Sequence, residues 1–162
     1  MATLDTRDEA DGGPAPDATT EQITVEHRGE IGAAPTRVFA VQSDVAHWTD
    51  WHPDVSHAAP LGTHRPGSVF EWVWRGTPTR TRVLEVAEPE LLVWSSLSTR
   101  GASVMRWTIE PTDAGSLVTA SLRFAPAIPV PRSRAQRLQE RALERWFEGL
   151  VRALEPDLIS LA

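Results

Sequence analysis

The chain has 162 residues, 41% of them apolar and 23% charged, the size and composition of one globular domain. It holds no cysteine and no tyrosine, and all 16 basic residues are arginine, which excludes disulfides, thiolate metal sites, cysteine nucleophiles, Schiff-base lysines and phenolic acids. Of the net charge of −6, residues 1–20 carry −4 (Asp5, Asp8, Glu9, Asp11 and Asp17 against Arg7), so the rest is near balance and offers no global field for a phosphate backbone.

Residues 1–20 contain almost no large apolar side chains and read as a disordered acidic tail, leaving 21–162 as the single folded domain. From Gln22, apolar Ile23, Val25 and Ile31 alternate with Thr24, Glu26, Arg28 and Glu30, the period of a strand with one wet face. Pro35 opens a short helix anchored by Val38, Phe39 and Val41. A second runs from Val45 to Trp51 and stops before Pro53. Strand-like runs follow at Val55–Leu61, Ser68–Arg75, Thr79–Glu88, Leu91–Ser98, Ala102–Glu110 and Ser116–Phe124. The connections between them are too short for crossover helices, so neighbours pair antiparallel in a meander. Pro126, Pro129 and Pro131 stiffen a connector, and Ser133 is placed to cap a helix over Arg134–Glu155. That helix has an apolar stripe of Leu138, Ala142, Leu143, Trp146, Phe147, Leu150 and Leu154, and Pro156 stops it.

This order of elements resembles the helix-grip fold of the START-like, or SRPBCC, superfamily, which includes polyketide cyclase/dehydrases and lipid-transfer domains. Local segments carry the likeness. Ala34 to Phe39 resembles the family's A-P-x-x-V-F/W, and Asp44 to Pro53 its D-x-x-x-W-x-x-W-x-P. Pro66 to Trp72 resembles P-G-S/T-x-F/L-x-F/W, and Val83 to Trp94 resembles V-x-E followed by P-x-x-L-x-W/F. Trp107 to Pro111 and Gly115 to Val118 resemble the next hairpin, so the likeness spans about residues 22–155. It implies an α+β domain: a curved antiparallel sheet of about seven strands wrapped around a long C-terminal helix, with two short helices after the first strand. It also implies a ligand cavity between sheet and helix, but no shared catalytic residues.

Strand parity selects the side chains expected to line that cavity. Phe70, Trp72 and Trp74 share one face, as do Met105 and Trp107; Trp94 and Phe124 point the same way from their strands, and Trp146 faces them from the helix. An empty cavity of 300 Å³ costs about 7 kcal/mol, so either the indoles shrink the void or a guest fills it. The strand at 79–88 has two parities: one turns Thr79, Thr81, Val83 and Glu85 inward, the other Arg80 and Arg82. The first is favoured by a two-residue turn at Thr77-Pro78. His27 is the histidine that parity turns inward. His52 is read as a surface residue, or as one lining an entrance beside Trp51. His47, His52 and His57 recur every five residues, a spacing that does not converge on one metal. The Arg100-Gly101 hairpin and the 126–131 connector read as plain connections or as gates.

The expected function is binding of a hydrophobic or aromatic small molecule, lipid- or polyketide-like, by Phe70, Trp72, Trp74, Trp94, Met105, Trp107, Phe124, Trp146 and His27. The alternatives are an aldol cyclase/dehydrase and a protein-interaction module. The cyclase would need a base, for which His27 and Glu85 are candidates, and an enolate stabiliser, for which Arg82 is one. No cofactor, metal or nucleic acid is expected. No stretch is long enough for a membrane span and the N-terminus lacks a secretory pattern, so the expected location is the cytoplasm; oligomeric state is open.

Overall fold

A computed structural model describes residues 22–60 and 64–155. The tail expected over residues 1–20, the end of the strand expected at Leu61, and Pro156 lie outside them. Strand β1 (Ile23–Ile31) leads into helix α1 (Pro35–Ser43). The second expected helix is a 3-10 turn (Val45–His47) running into the four-residue α2 (Trp48–Trp51). Six strands follow: β2 (Val55–Pro60), β3 (Val69–Trp74), β4 (Thr77–Ala87), β5 (Leu91–Ser98), β6 (Gly101–Thr112) and β7 (Gly115–Pro126). Helix α3 (Arg132–Leu154) closes the fold. It starts two residues earlier than expected, and no side chain caps it, so Ser133 is not the cap.

The seven strands form one antiparallel sheet in the order β1-β7-β6-β5-β4-β3-β2. The meander supplies β2 through β7, and β1 returns to pair with β7. One face of the sheet is apolar and grips α3; this is the helix-grip arrangement the sequence pattern implied. Helix and sheet approach most closely where side chains are absent. A Cβ on Gly29 would lie 2.9 Å from Phe147, so the Phe147 ring rests on the β1 backbone. A Cβ on Gly149 would lie 2.8 Å from the Trp51 carbonyl, so α3 rests on the end of α2.

Strand β4 settles the parity question in two parts. The hairpin turns at Arg75-Gly76, not at Thr77-Pro78; both turn residues have positive φ (48° and 80°), the pattern of a type I′ hairpin. Trp74 therefore pairs with Thr77, and Phe70 with Thr81. The turn lies two residues earlier than expected and the register differs by four, an even number that preserves parity, so Thr79, Thr81 and Val83 face α3. Between Val83 and Glu85 the ladder with β5 slips by a residue at Leu84. That bulge turns Glu85 to the outer face, where it is exposed. Glu85 is thus not an inward carboxylate, and Arg82 is exposed on the outer face as well.

Candidate functional site

The space between the sheet and the second half of α3 is filled by aromatic rings. Trp48, from the four-residue α2, stands at its centre. Its ring centroid lies 5.5 Å from Phe70, 5.4 Å from Trp72, 5.2 Å from Trp94 and 5.3 Å from Trp146. Three of these contacts are edge-to-face, the favoured geometry for such quadrupoles. Trp107 joins through Trp146 at 5.7 Å. The sequence pattern placed Phe70, Trp72, Trp94, Trp107 and Trp146 on this side, and there they are, all buried. They pack on one another through Trp48 rather than panelling an open hollow.

Polar groups inside this cluster orient the rings. Gln42 of α1 is fully buried; its carbonyl accepts the Trp48 indole N–H at 3.0 Å and its Oε1 accepts that of Trp146 at 3.1 Å. The Trp72 N–H donates to Thr81 Oγ1 at 2.8 Å, and Thr81 is 2.7 Å from Ser96 Oγ. The indole N–H groups of Trp94 and Trp107 and the Gln42 amide nitrogen are buried without an acceptor among the described residues.

His52 is buried beside the cluster, contrary to its reading as a surface residue. Its ring stacks on Trp51 and meets Trp146 edge-on at 4.5 Å. Its Nδ1 accepts the Asp54 backbone N–H at 3.2 Å, which fixes the neutral tautomer with the proton on Nε2. Burial lowers its pKa to about 4, against the attraction of Asp54 and with a smaller push from Arg145. Asp54 anchors the same corner by a bidentate pair with Arg145 of α3, at 2.9 to 3.2 Å. Burial alone would raise the Asp54 carboxyl, but the hydrogen bonds and charge of Arg145, helped by His52 and Arg75, hold it below its usual range. His64, half-buried against Phe70 and Trp94, has its pKa lowered by burial.

The opposite end of the grip is open. Ala142 and Leu138 lie one and two turns ahead of Trp146 on the same helix face, so the apolar row continues over the sheet. There it is not closed: Leu138 is 50% exposed, and Ile128 in the connector 70%. On the inward face of the sheet, the side chains of Thr79, Ser96, Ser103, Met105 and Phe124 are only half-buried. Trp74 flanks this opening. The Arg100 guanidinium sits 5.2 Å above its ring and Arg100 Nε donates to Thr77 Oγ1. The Arg100 carbonyl accepts the Ala127 N–H at 2.9 Å, tying the β5–β6 hairpin to the connector that leads into α3.

Besides Phe70, Trp72, Trp94, Trp107 and Trp146, which are packed in the core, three expected site residues are not gathered at this opening. His27 faces α3, but its ring packs on Phe147 at 4.7 Å, in the sheet row of Trp107 and Ala120. Glu85 and Arg82 are on the other face. The sequence reading missed Trp48, Gln42 and His64. Trp48 carried a signal, since it is the first indole of the D-x-x-x-W-x-x-W-x-P segment; a fully buried glutamine on a short helix leaves none. Among the described residues no three histidine or acidic groups gather as a metal site, and no helix is long and apolar enough to cross a membrane.

A seven-stranded antiparallel sheet gripping one long C-terminal helix, with two short helices after the first strand, defines a START-like domain. The chain belongs to the family described as polyketide cyclase/dehydrase and lipid transport, whose sequence model matches residues 22–155. The fold is similar to a START superfamily protein from Mycobacterium smegmatis at 19% identity and a TM-score of 0.75, over 82% of this chain and 97% of that one. A Rhodobacter sphaeroides protein is similar at 17% identity and a TM-score of 0.68, over 90% and 96%. The protein Ara h 8.0201 is similar at 16% identity and a TM-score of 0.65, over 86% and 99%. No curated protein sequence matches.

Proposed function

We propose that the protein binds an apolar small molecule, an acyl chain or a flat polycycle, in the cleft between the first half of α3 and the sheet. The observation that carries this reading is the unclosed apolar row. Leu138 continues the apolar stripe that carries Trp146 yet is 50% exposed, and Met105 and Phe124 on the inward sheet face are only half-buried. An acyl or aryl guest laid there would remove this surface from water at roughly 25 cal/mol per Å². The serine and threonine hydroxyls along the floor, from Thr79, Ser96 and Ser103, suit a guest with a few oxygens. The family description, which joins polyketide chemistry to lipid transport, supports a guest of this chemistry.

Binding is favoured over catalysis because the groups that aldol chemistry would need are apart. His27 lies against Phe147, and Glu85 and Arg82 are on the far face, so none of them reaches the cleft.

Thermal unfolding with palmitate and with anthraquinone tests the reading. At least one guest is expected to raise Tm by several degrees, as ligand binding to the folded state requires. Leu138→Glu, at an exposed position, is expected to leave the unliganded Tm almost unchanged while removing most of that rise. No rise with either guest, or a rise that persists in Leu138→Glu, overturns the cleft as the site.

A further inference from the structure

The sheet face turned away from α3 carries a depression of its own, of about 500 Å³. That is within the range of ligand-sized cavities. The sequence accounts for its shape. One outward row across the sheet reads Val69, Arg82, Ser95, Val104, Arg123; the next reads Arg80, Leu97, Ala102, Ala125. All of these residues line the depression, together with Gln22 and with Thr81, Ser96, Ser103 and Phe124 of the inward row that runs between them. In the first row the short Ser95 and Val104 thus lie between Arg82 on β4 and Arg123 on β7. Arg82 and Arg123 are three strand spacings apart, about 14 Å, with Ser95 and Val104 as the floor between them.

The charge of the rim is the second observation. Arg80, Arg82 and Arg123 are exposed, and none makes a hydrogen bond or ion pair among the described residues. Among the described residues no acidic side chain lines the depression, and Glu85, on the same face, stands beyond the Leu84 bulge opposite Val93. Glu71 is opposite Arg80 in the β3–β4 ladder, and Glu26 is opposite Ser121 in the β1–β7 ladder. Three free guanidiniums around a floor of Val104, Leu97 and Ala102 make a cationic rim over an apolar base.

We infer that this depression is a second binding site, separate from the cleft beneath α3, for an organic anion with a short apolar body. A guanidinium presents a planar fork that matches an oxyanion bidentately, and a phosphate or carboxylate head held by Arg82 and Arg123 leaves its apolar body on Val104 and Leu97. Both halves are required. A bare anion gains no apolar contact, and a neutral aromatic leaves the arginines to water.

Titration calorimetry of the full chain with 1-naphthyl phosphate, inorganic phosphate and 1-naphthol tests this. The naphthyl phosphate is expected to bind at least about tenfold more tightly than either inorganic phosphate or the naphthol, since charge-assisted bidentate bonds and apolar burial act together only in that probe. Arg82→Ala combined with Arg123→Ala is expected to weaken it by about tenfold or more, because the oxyanion loses both forks. These arginines are exposed, so the variant is expected to keep the wild-type circular dichroism spectrum and Tm. Leu138→Glu, in the other cleft, is expected to leave this affinity unchanged. Undiminished binding in the double arginine variant, equal affinity for 1-naphthol in Leu138→Glu, where the other cleft is blocked, or a loss of naphthyl phosphate binding on Leu138→Glu overturns the inference. Failure of the cleft reading leaves these outcomes unaffected.

Discussion

A single buried imidazole ties the stability of this protein to pH. His52 is 3% exposed, stacked on Trp51 and set edge-on to Trp146, and its ordinary pKa of 6.5 falls to about 4 in the fold. Between those values the unfolded chain binds a proton that the folded chain refuses. The stabilisation is therefore complete above pH 6.5 and is lost as pH falls toward about 4. At 1.36 kcal/mol per unit the loss is on the order of 3 kcal/mol. Denaturant unfolding at pH 7 and pH 4.5 is expected to show most of it. His52→Asn keeps an acceptor for the Asp54 N–H, but not the titration. The variant is expected to start less stable, having lost two ring contacts, and to have a flatter profile over this window. Profiles that run parallel for the two proteins would remove His52 as the cause. Asp54 acts lower on the scale: its carboxyl is held below the usual range, so its contribution is present above pH 4 and fades beneath it.

At the scale of elements, the strands were legible from period-two alternation, clearest in β1 and β7, and from the turn residues between them, and α3 because its apolar positions recur at three and four. What was not legible is local and small. The bulge at Leu84 adds a residue to a run whose composition does not change, and it alone decides that Glu85 points to solvent. The turn at Arg75-Gly76 was hidden by Thr77-Pro78, which looks like punctuation but begins β4. The burial of His52 and Gln42 depends on how a four-residue helix meets α3, and four residues carry no readable period. That meeting is set by Gly149. Alanine favours helix by about 1 kcal/mol over glycine, so Gly149→Ala is stabilising by propensity alone. Its Cβ, however, would stand 2.8 Å from the Trp51 carbonyl and 3.0 Å from Pro53, both outside α3. The contact outweighs propensity: the helix has to shift, and overpacking of this kind costs about 1–3 kcal/mol. Gly149→Ala is expected to lower Tm; an unchanged or raised Tm would show that α2 can give way.

For the molecule as a whole, the question is how a sheet that grips one helix disposes of the space it encloses. A void of a few hundred Å³ would consume several kcal/mol, comparable to the entire stability of many domains. This chain divides the space. Over the second half of α3 it is filled, with Trp48 as the central ring, fully buried and in contact with four other aromatics. Over the first half the cover is partial: Ala135 is buried, but Leu138 is 50% exposed and Met105 half-buried. The division makes Trp48 the side chain that separates a closed core from a cleft. Trp48→Ala is expected to cost about 3–5 kcal/mol, the range for removing a large aromatic from a core that relaxes only in part. Phe70 and Trp72 are held on β3, Trp94 on β5 and Trp146 on α3, and α3 is held independently by Phe147 on Gly29 and by Arg145 on Asp54. The cavity is therefore expected to persist rather than collapse, and an apolar cavity of that shape takes up a matching guest. Free indole added to Trp48→Ala is expected to recover part of the lost Tm, with no effect on the wild-type protein. A Tm that indole does not move would mean that the rings close over the gap, and that the aromatic cluster is plastic rather than a fixed partition.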